Sequence, residues 1–367
     1  MTDRDQPPPA AETPPENEAT GHSASSIRSW ALSLLAVLAV FYTLFLASEF
    51  LLPVILALLL ALLLNPLMHP LRQLRLPDAI CAAIVVFGLL GAIAGTGYAL
   101  STPAAKWVQE APGVLYQLQR KVNALRQTVR EVSQTAEQVE RLAQSPNKPP
   151  VVQLQGQGLR DIILARLRSI AIGAVMATFL LYFMLASGDR FLRKLMSTMP
   201  TFRDKRRTLE ISRRVQGEVS AYLFTFALIN IGLAMVTSLT MYLLGLPNPV
   251  LWGVLAGVLN FVPYLGPATV LTVLAVVATL TFDQLHAILL PPGAFLVITS
   301  LEGQLLTPMI LGRRLALSPI VIFLGLIFWG WLWGVLGALL AVPIMVSIKI
   351  VCDHIEPLQP IGVMMER

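Results

Sequence analysis

Charge is what this sequence has least of. Only 13% of its 367 residues are Asp, Glu, Lys or Arg, 55% are hydrophobic, and mean hydropathy is +0.69. A water-soluble globular chain does not have that balance. Cysteine is nearly absent: Cys81 lies in an apolar run and Cys352 near the end, which supports neither a disulfide framework nor a thiolate metal site. The four histidines, at 22, 69, 286 and 354, show no HExxH and no ligand-like pairing, so no metal centre or other cofactor is expected. No nucleophile, base and orienting group stand at matching depths, which argues against an enzyme. No Walker motif is present, so transport, if any, is passive or driven by an ion gradient.

Long apolar runs are what is present. The gaps between Arg28 and Glu49, Glu49 and Arg72, Asp78 and Lys106, Arg168 and Asp189, and Glu218 and Asp283 contain no charged residue. Each reaches the ~20 residues that cross a hydrocarbon core of ~30 Å. The expected fold is all-α: a polytopic helical membrane protein of about eight transmembrane segments, some broken or re-entrant, whose first partner is the lipid bilayer. The pI of about 9.5 does not point to nucleic acid, because the basic residues concentrate beside apolar spans. The loop 189–214 carries nine Lys or Arg against three acids and is expected on the cytoplasmic side.

Along the chain, the Pro-rich stretch 1–26 is expected as a disordered cytoplasmic tail, and 27–102 as three transmembrane helices. Residues 103–161 form an extracytoplasmic region. There Leu115, Leu118, Val122, Leu125, Val129, Val132, Ala136, Val139 and Ala143 alternate steps of three and four, which predicts an amphipathic helix over 115–143. Its seam suits another subunit in a homo-oligomer, the chain's own membrane domain, or the bilayer surface. Residues 162–350 form the transmembrane core, and 351–367 a cytoplasmic C-terminal tail. Gly91 and Gly95 form a GxxxG pair suited to close helix approach. Gly253 with Gly257, and Gly330 with Gly334, leave open whether they pack within or between chains. Lys349 is read as snorkelling at the last boundary.

Two segments break the pattern. Residues 219–282 are 64 positions without charge; after one full span to 246, the piece 250–262 is too short to cross, and Pro263, Tyr264, Leu265, Gly266 and Pro267 must interrupt it before 268–281 continues. Residues 315–348 are 34 uncharged positions, too many for one span and too few for two. LWGVL stands at 251–255 and again at 332–336, each followed by ValPro (262–263, 342–343) and preceded by AsnPro or SerPro, which reads as an internal repeat broken at the prolines. Paired interruptions of this kind point to a transport pathway, because broken helices expose main-chain groups that must line a cavity or be buried in protein. Asn260, Tyr264, Glu302 and Gln304 are the polar candidates at membrane depth. Asn65 and Asn230 are read as hydrogen-bonding between helices.

The blocks NPVLWGVLAGVLNFVPYLGP at 248–267, EGQLLTPMILGRRLALSP at 302–319 and WGVLGALLAVPIMVSIK at 333–349 resemble those of the autoinducer-2 exporter family of bacterial membrane transporters. LLPVILALLLALLLNPL at 51–67 and GEVSAYL at 217–223 extend the likeness. It implies a multi-pass permease of the bacterial cytoplasmic membrane with both termini inside, exporting a small polar solute such as a signalling molecule. Other members look like cation/proton antiporters, so a proton or sodium ion enters as a coupling partner. The likeness marks Pro263, Tyr264, Gly266, Pro267, Glu302, Pro308, Gly312 and Pro343; where many relatives have Asn, this chain has Gln304. A membrane scaffold built on the heptad helix stands as the alternative outside transport.

Overall fold

The computed structural model describes residues 32, 34–36, 38–133, 157–187, 202–311 and 317–366. The expected N-terminal tail, the C-terminal part of the heptad stretch, much of the basic loop 189–214, and Gly312 lie outside these. The chain divides into two units, 1–49 and 50–367. The first contains a short apolar helix, Leu34–Leu46.

The second unit is helical throughout its described length, as the absence of alternating apolar patterns requires. Its helices are α1 (Ser48–Gln73), α2 (Asp78–Ser133), α3 (Gln157–Ser187), α4 (Phe202–Leu243), α5 (Pro249–Leu259), α6 (Leu265–Thr281), α7 (Leu285–Leu301), α8 (Thr307–Leu311), α9 (Pro319–His354) and α10 (Gln359–Met365). Among the described residues, five stretches are long and apolar enough to cross a membrane: α1, Asp78–Trp107, Leu209–Leu243, Leu285–Leu311 and α9. Ala171–Ser187, α5 and α6 are apolar but shorter. The protein is a polytopic helical membrane protein.

α2 runs unbroken for 56 residues, about 84 Å, so the third span and the first part of the heptad stretch are one helix rather than two. Ala57, Leu64 and Met68 of α1, Cys81, Ala82, Val85 and Val86 of α2, and Leu181 and Leu185 of α3 make one buried cluster. A second joins Met241 of α4, Trp252 and Ala256 of α5, Val270, Leu274 and Val277 of α6, and Phe295 of α7. Trp107 of α2 reaches this second core and meets Trp252 edge to face at 5.3 Å. Gly91 and Gly95 face open space instead of a neighbouring helix, so the first GxxxG pair mediates no close approach here.

The second GxxxG pair does. A Cβ on Gly253 would collide with Ser238 Oγ and the Ala234 carbonyl, and one on Gly257 would come within 2.8 Å of the Asn230 carbonyl. Asn230, Ala234 and Ser238 are spaced by four, so they form a single ridge of α4 onto which α5 settles backbone to backbone. Apolar side chains gain nothing by leaving lipid, so this close packing, together with hydrogen bonding, is what holds the pair.

Candidate functional site: two helical hairpins on one long helix

α5 and α6 form the first hairpin. Asn248, left-handed at φ 55°, and Pro249 at the first helical position open its inward arm, while Trp252 Nε1 donates to the Pro247 carbonyl at 2.8 Å. The arm is 11 residues, about 16 Å, too short for a 30 Å core. It ends at Asn260, and Pro263 caps the turn. Leu265 N donates to the Pro263 carbonyl at 2.7 Å across Tyr264, whose φ of 63° and ψ of −53° make a tight three-residue turn of the strained hand. Positive φ in a bulky residue costs ~1–3 kcal/mol and persists only where its surroundings impose it. The Tyr264 ring is 63% exposed at the tip. Gly266 packs so tightly on the Leu259 carbonyl that the chain has reversed within seven residues. Pro267 sits in the first turn of the outward arm, where a proline is tolerated.

The tip stops against α4's uncharged stretch. Phe261 meets Phe226 of α4 edge to face at 5.2 Å, and Asn260 Nδ2 donates to Asn230 Oδ1 at 2.8 Å. Asn230, 3% exposed, passes its own Nδ2 to the Phe226 carbonyl at 2.9 Å, so the amides form a chain anchored on α4. Phe226 and Asn230 lie between Glu218 and the far end of α4 at Leu243, within its uncharged stretch.

α9 is the second hairpin, although its 36 residues would measure about 54 Å as a rod. Gly334 interrupts it at φ 66° and ψ −146°, a conformation essentially reserved for glycine. The arms then run antiparallel. A Cβ on Gly330 would lie 3.7 Å from that of Ala338, and one on Gly325 would lie 3.0 Å from Met345 Cγ, pairs that a straight helix holds about 12 and 30 Å apart. The break is therefore at Gly334. Pro343 sits buried inside the second arm, and Ser347 Oγ donates to its carbonyl at 2.7 Å. LWGVL lies along an arm in the first hairpin but across the tip in the second. AsnPro and SerPro are the matched pair that occupies equivalent places, because each opens an inward arm. Ser318 Oγ accepts from Val321 N at 3.3 Å to cap the second one.

The base of this hairpin is tied together. Ser318 N donates to the Met365 carbonyl at 3.0 Å, α10 returning beside it. His354 Nε2 lies 3.3 Å from Glu218 Oε1 of α4. Lys349 is buried, 2% exposed, with Nζ 2.8 Å from Oδ2 of the exposed Asp353 one turn on. The two hairpins are thus tied to opposite ends of α4's uncharged stretch: the first from the loop after Leu243, the second beside Glu218.

Glu302 marks a third irregularity. It begins a π-helical turn, Glu302–Leu306, in which Thr307 N bonds the Glu302 carbonyl. The carboxylate is 6% exposed and Oε1 accepts from the Thr307 hydroxyl at 2.5 Å. Single π turns recur at functional sites. Both this turn's neighbour α8 and α7 pack on α4. Gln304 and Pro308, by contrast, are exposed.

A groove of about 740 Å³ follows the α4–α5 seam, bordered by Thr96 of α2, Asn230, Ser238 and Tyr242 of α4, and Val254 and Phe261 beside the tip. Asn260 touches it only through Asn230; none of the sequence-predicted residues lines it. Among the described residues, no group of His, Cys, Asp or Glu is arranged to hold a metal ion.

The pattern shared by AI-2E family transporters matches residues 32–356, and so takes in α1 to α9 with both hairpins. The chain belongs to the AI-2E transporter family. Its relatives within or near that family include the AI-2 transport protein TqsA of Escherichia coli (strain K12), 36% identical over 154 residues, 42% of this chain and 44% of that one. The transport protein YrrI of Bacillus subtilis (strain 168), described as putative, is 32% identical over 142 residues, 39% and 40% of the two chains. A Mycobacterium tuberculosis protein, MT0215, also described as a putative transport protein, is 26% identical over 325 residues, 86% of each. The matched stretch spans less than half the length of TqsA.

Proposed function

We propose that this AI-2E family member is a secondary permease that exports a small polar solute, with an autoinducer-2-like molecule as the leading candidate because the relative TqsA is named for AI-2 transport. One observation carries the reading: two helical hairpins pack on α4, the first hung from the loop after Leu243 with its tip at Asn230, the second tied at its base beside Glu218. An irregular main chain at membrane depth survives only where protein or a water-filled cavity receives its polar groups. With the basic 189–214 loop inside, hairpin one enters from outside and hairpin two from the cytoplasm, which gives each face of the membrane its own gate.

In this reading Asn260, Pro263, Tyr264, Gly266 and Pro267 form the outer gate. The strained turn at Tyr264 and the Asn260–Asn230 bond give it two arrangements to move between. Glu302, Gln304 and Pro308 lie where α7 passes into α8, and Gly312 follows α8 in sequence. Pro343 stiffens the second arm of hairpin two. Glu302 also favours a second reading, a monovalent cation/proton antiporter, because an acid buried within a membrane span is costly and is found where ions or protons pass. Proteoliposomes distinguish the two. The permease moves autoinducer-2 and loses that flux in Tyr264→Ala and Asn260→Ala at unchanged protein level; the antiporter instead produces a lumenal pH change on adding sodium. Wild-type flux without any effect of either substitution contradicts the proposed gate.

A further inference from the structure

The tip of hairpin two contains a feature that the fold does not explain. Three of the chain's six tryptophans, Trp329, Trp331 and Trp333, stand in the five residues before Gly334. Tryptophans at a membrane surface form a belt whose indole N–H groups are wet. These are placed differently. Counted from Pro319, Trp329 is ten residues, about 15 Å, into the inward arm and one turn short of the reversal. Its ring lies against Trp333, centroids 4.7 Å apart, and against Phe328 at 5.0 Å, while Gly337 of the returning arm packs on its carbonyl. Trp329 is 8% exposed, and its Nε1 has no protein acceptor within hydrogen-bonding distance.

A buried donor without an acceptor costs ~1–3 kcal/mol, and indole nitrogen has no alternative role, since it only donates. Phenylalanine would fill most of that space without that cost. A buried indole N–H without an acceptor therefore stands in an aromatic cluster beside the reversal at Gly334.

We infer that the tip of hairpin two is a solute-binding site in which Trp329 Nε1–H donates to a hydroxyl or carbonyl oxygen of the transported molecule. The inference rests on the permease reading and deepens it. A bare alkali cation offers no acceptor and leaves the N–H as costly as before; an oxygen-bearing organic solute satisfies it and lays its carbon skeleton on the Trp329 and Trp333 rings.

The test uses full-length protein in proteoliposomes with two probes, autoinducer-2 and ²²Na⁺, and two variants. Trp329→Phe keeps the ring and removes the donor. Trp331→Phe, on the exposed face of the same arm, is the control. The expected result is wild-type flux of autoinducer-2, a KM raised about tenfold in Trp329→Phe with kcat little changed, and a KM within twofold of wild type in Trp331→Phe. Tenfold is the loss of one ordinary hydrogen bond. An unchanged KM in Trp329→Phe, with wild-type flux intact, overturns the site and leaves the permease standing. Equal losses in both variants also overturn it, since they reveal general damage to the arm. Flux of ²²Na⁺ alone overturns the solute chemistry, and no flux of either probe removes the permease reading and this site with it.

Discussion

Replacing Gly334 by alanine isolates the cost of the second hairpin's reversal. The position has φ 66° and ψ −146°, and no atom lies within 4 Å of where the new Cβ would stand, so no clash contributes. What remains is the backbone term, ~1–3 kcal/mol for a side chain forced into that region. Gly88 of α2 is the internal reference. It is helical, exposed and equally open, so Gly88→Ala should stabilise by ~0.5–1 kcal/mol. The two substitutions add the same methyl group and should differ by ~1.5–4 kcal/mol with opposite signs. Reversible unfolding in mixed detergent micelles, followed by tryptophan fluorescence, reads both. If Gly334→Ala stabilises as Gly88→Ala does, residue 334 is ordinary helix and the reversal is wrong.

Further outcomes follow from the same geometry. A Gly330→Cys/Ala338→Cys pair, in a background without Cys81 and Cys352, should oxidise readily to a disulfide, because the 3.7 Å between those Cβ positions is the usual disulfide spacing. A gel shift reversed by reductant reports it, and failure to close contradicts the antiparallel arms. Gly257→Val should destabilise by ~1–3 kcal/mol through overpacking against Asn230 and Ala234, whereas Gly91→Val, facing open space, should be close to neutral; unfolding midpoints compare them. Asn230→Ala and Asn260→Ala should show a coupling of ~0.5–1.5 kcal/mol in a double-mutant cycle, and additive effects would mean the 2.8 Å bond contributes nothing. Glu302→Gln keeps an oxygen to accept from Thr307, so expression and stability should hold while any proton dependence of flux disappears.

Most of the fold was legible because lipid imposes a simple rule. Charge-free runs of sufficient length mark helices, and α1 and α7 begin and end within a few residues of where the charges change, whereas α4 starts well inside the basic loop. The first interruption was legible for a similar reason, since Pro263 and Pro267 in five residues leave no continuous helix. The second misled. Pro343 drew attention because proline removes a donor, yet the second arm accommodates it; the reversal is made by Gly334, which nothing in the sequence singles out among 24 glycines. The repeated LWGVL carried the same error, since identical letters occupy an arm in one hairpin and a tip in the other, and only AsnPro and SerPro correspond. The stem of Lys349 is buried while its ammonium meets the exposed Asp353, a pairing at i and i+4 that the sequence contains but does not announce. Gly91–Gly95 and Gly253–Gly257 are indistinguishable as motifs. The difference lies in the partner, and only α4 presents a ridge of small and polar residues at the right spacing.

The account depends most on both hairpins returning to the side they came from. Single cysteines introduced by Asn248→Cys, Asp283→Cys, Ser318→Cys and Glu356→Cys, in a chain lacking Cys81 and Cys352, can be labelled in oriented vesicles with a membrane-impermeant thiol reagent. Positions 248 and 283 should label from one face and 318 and 356 from the other. If 248 and 283, or 318 and 356, label from opposite faces, that segment crosses the membrane and the opposed-hairpin mechanism is contradicted.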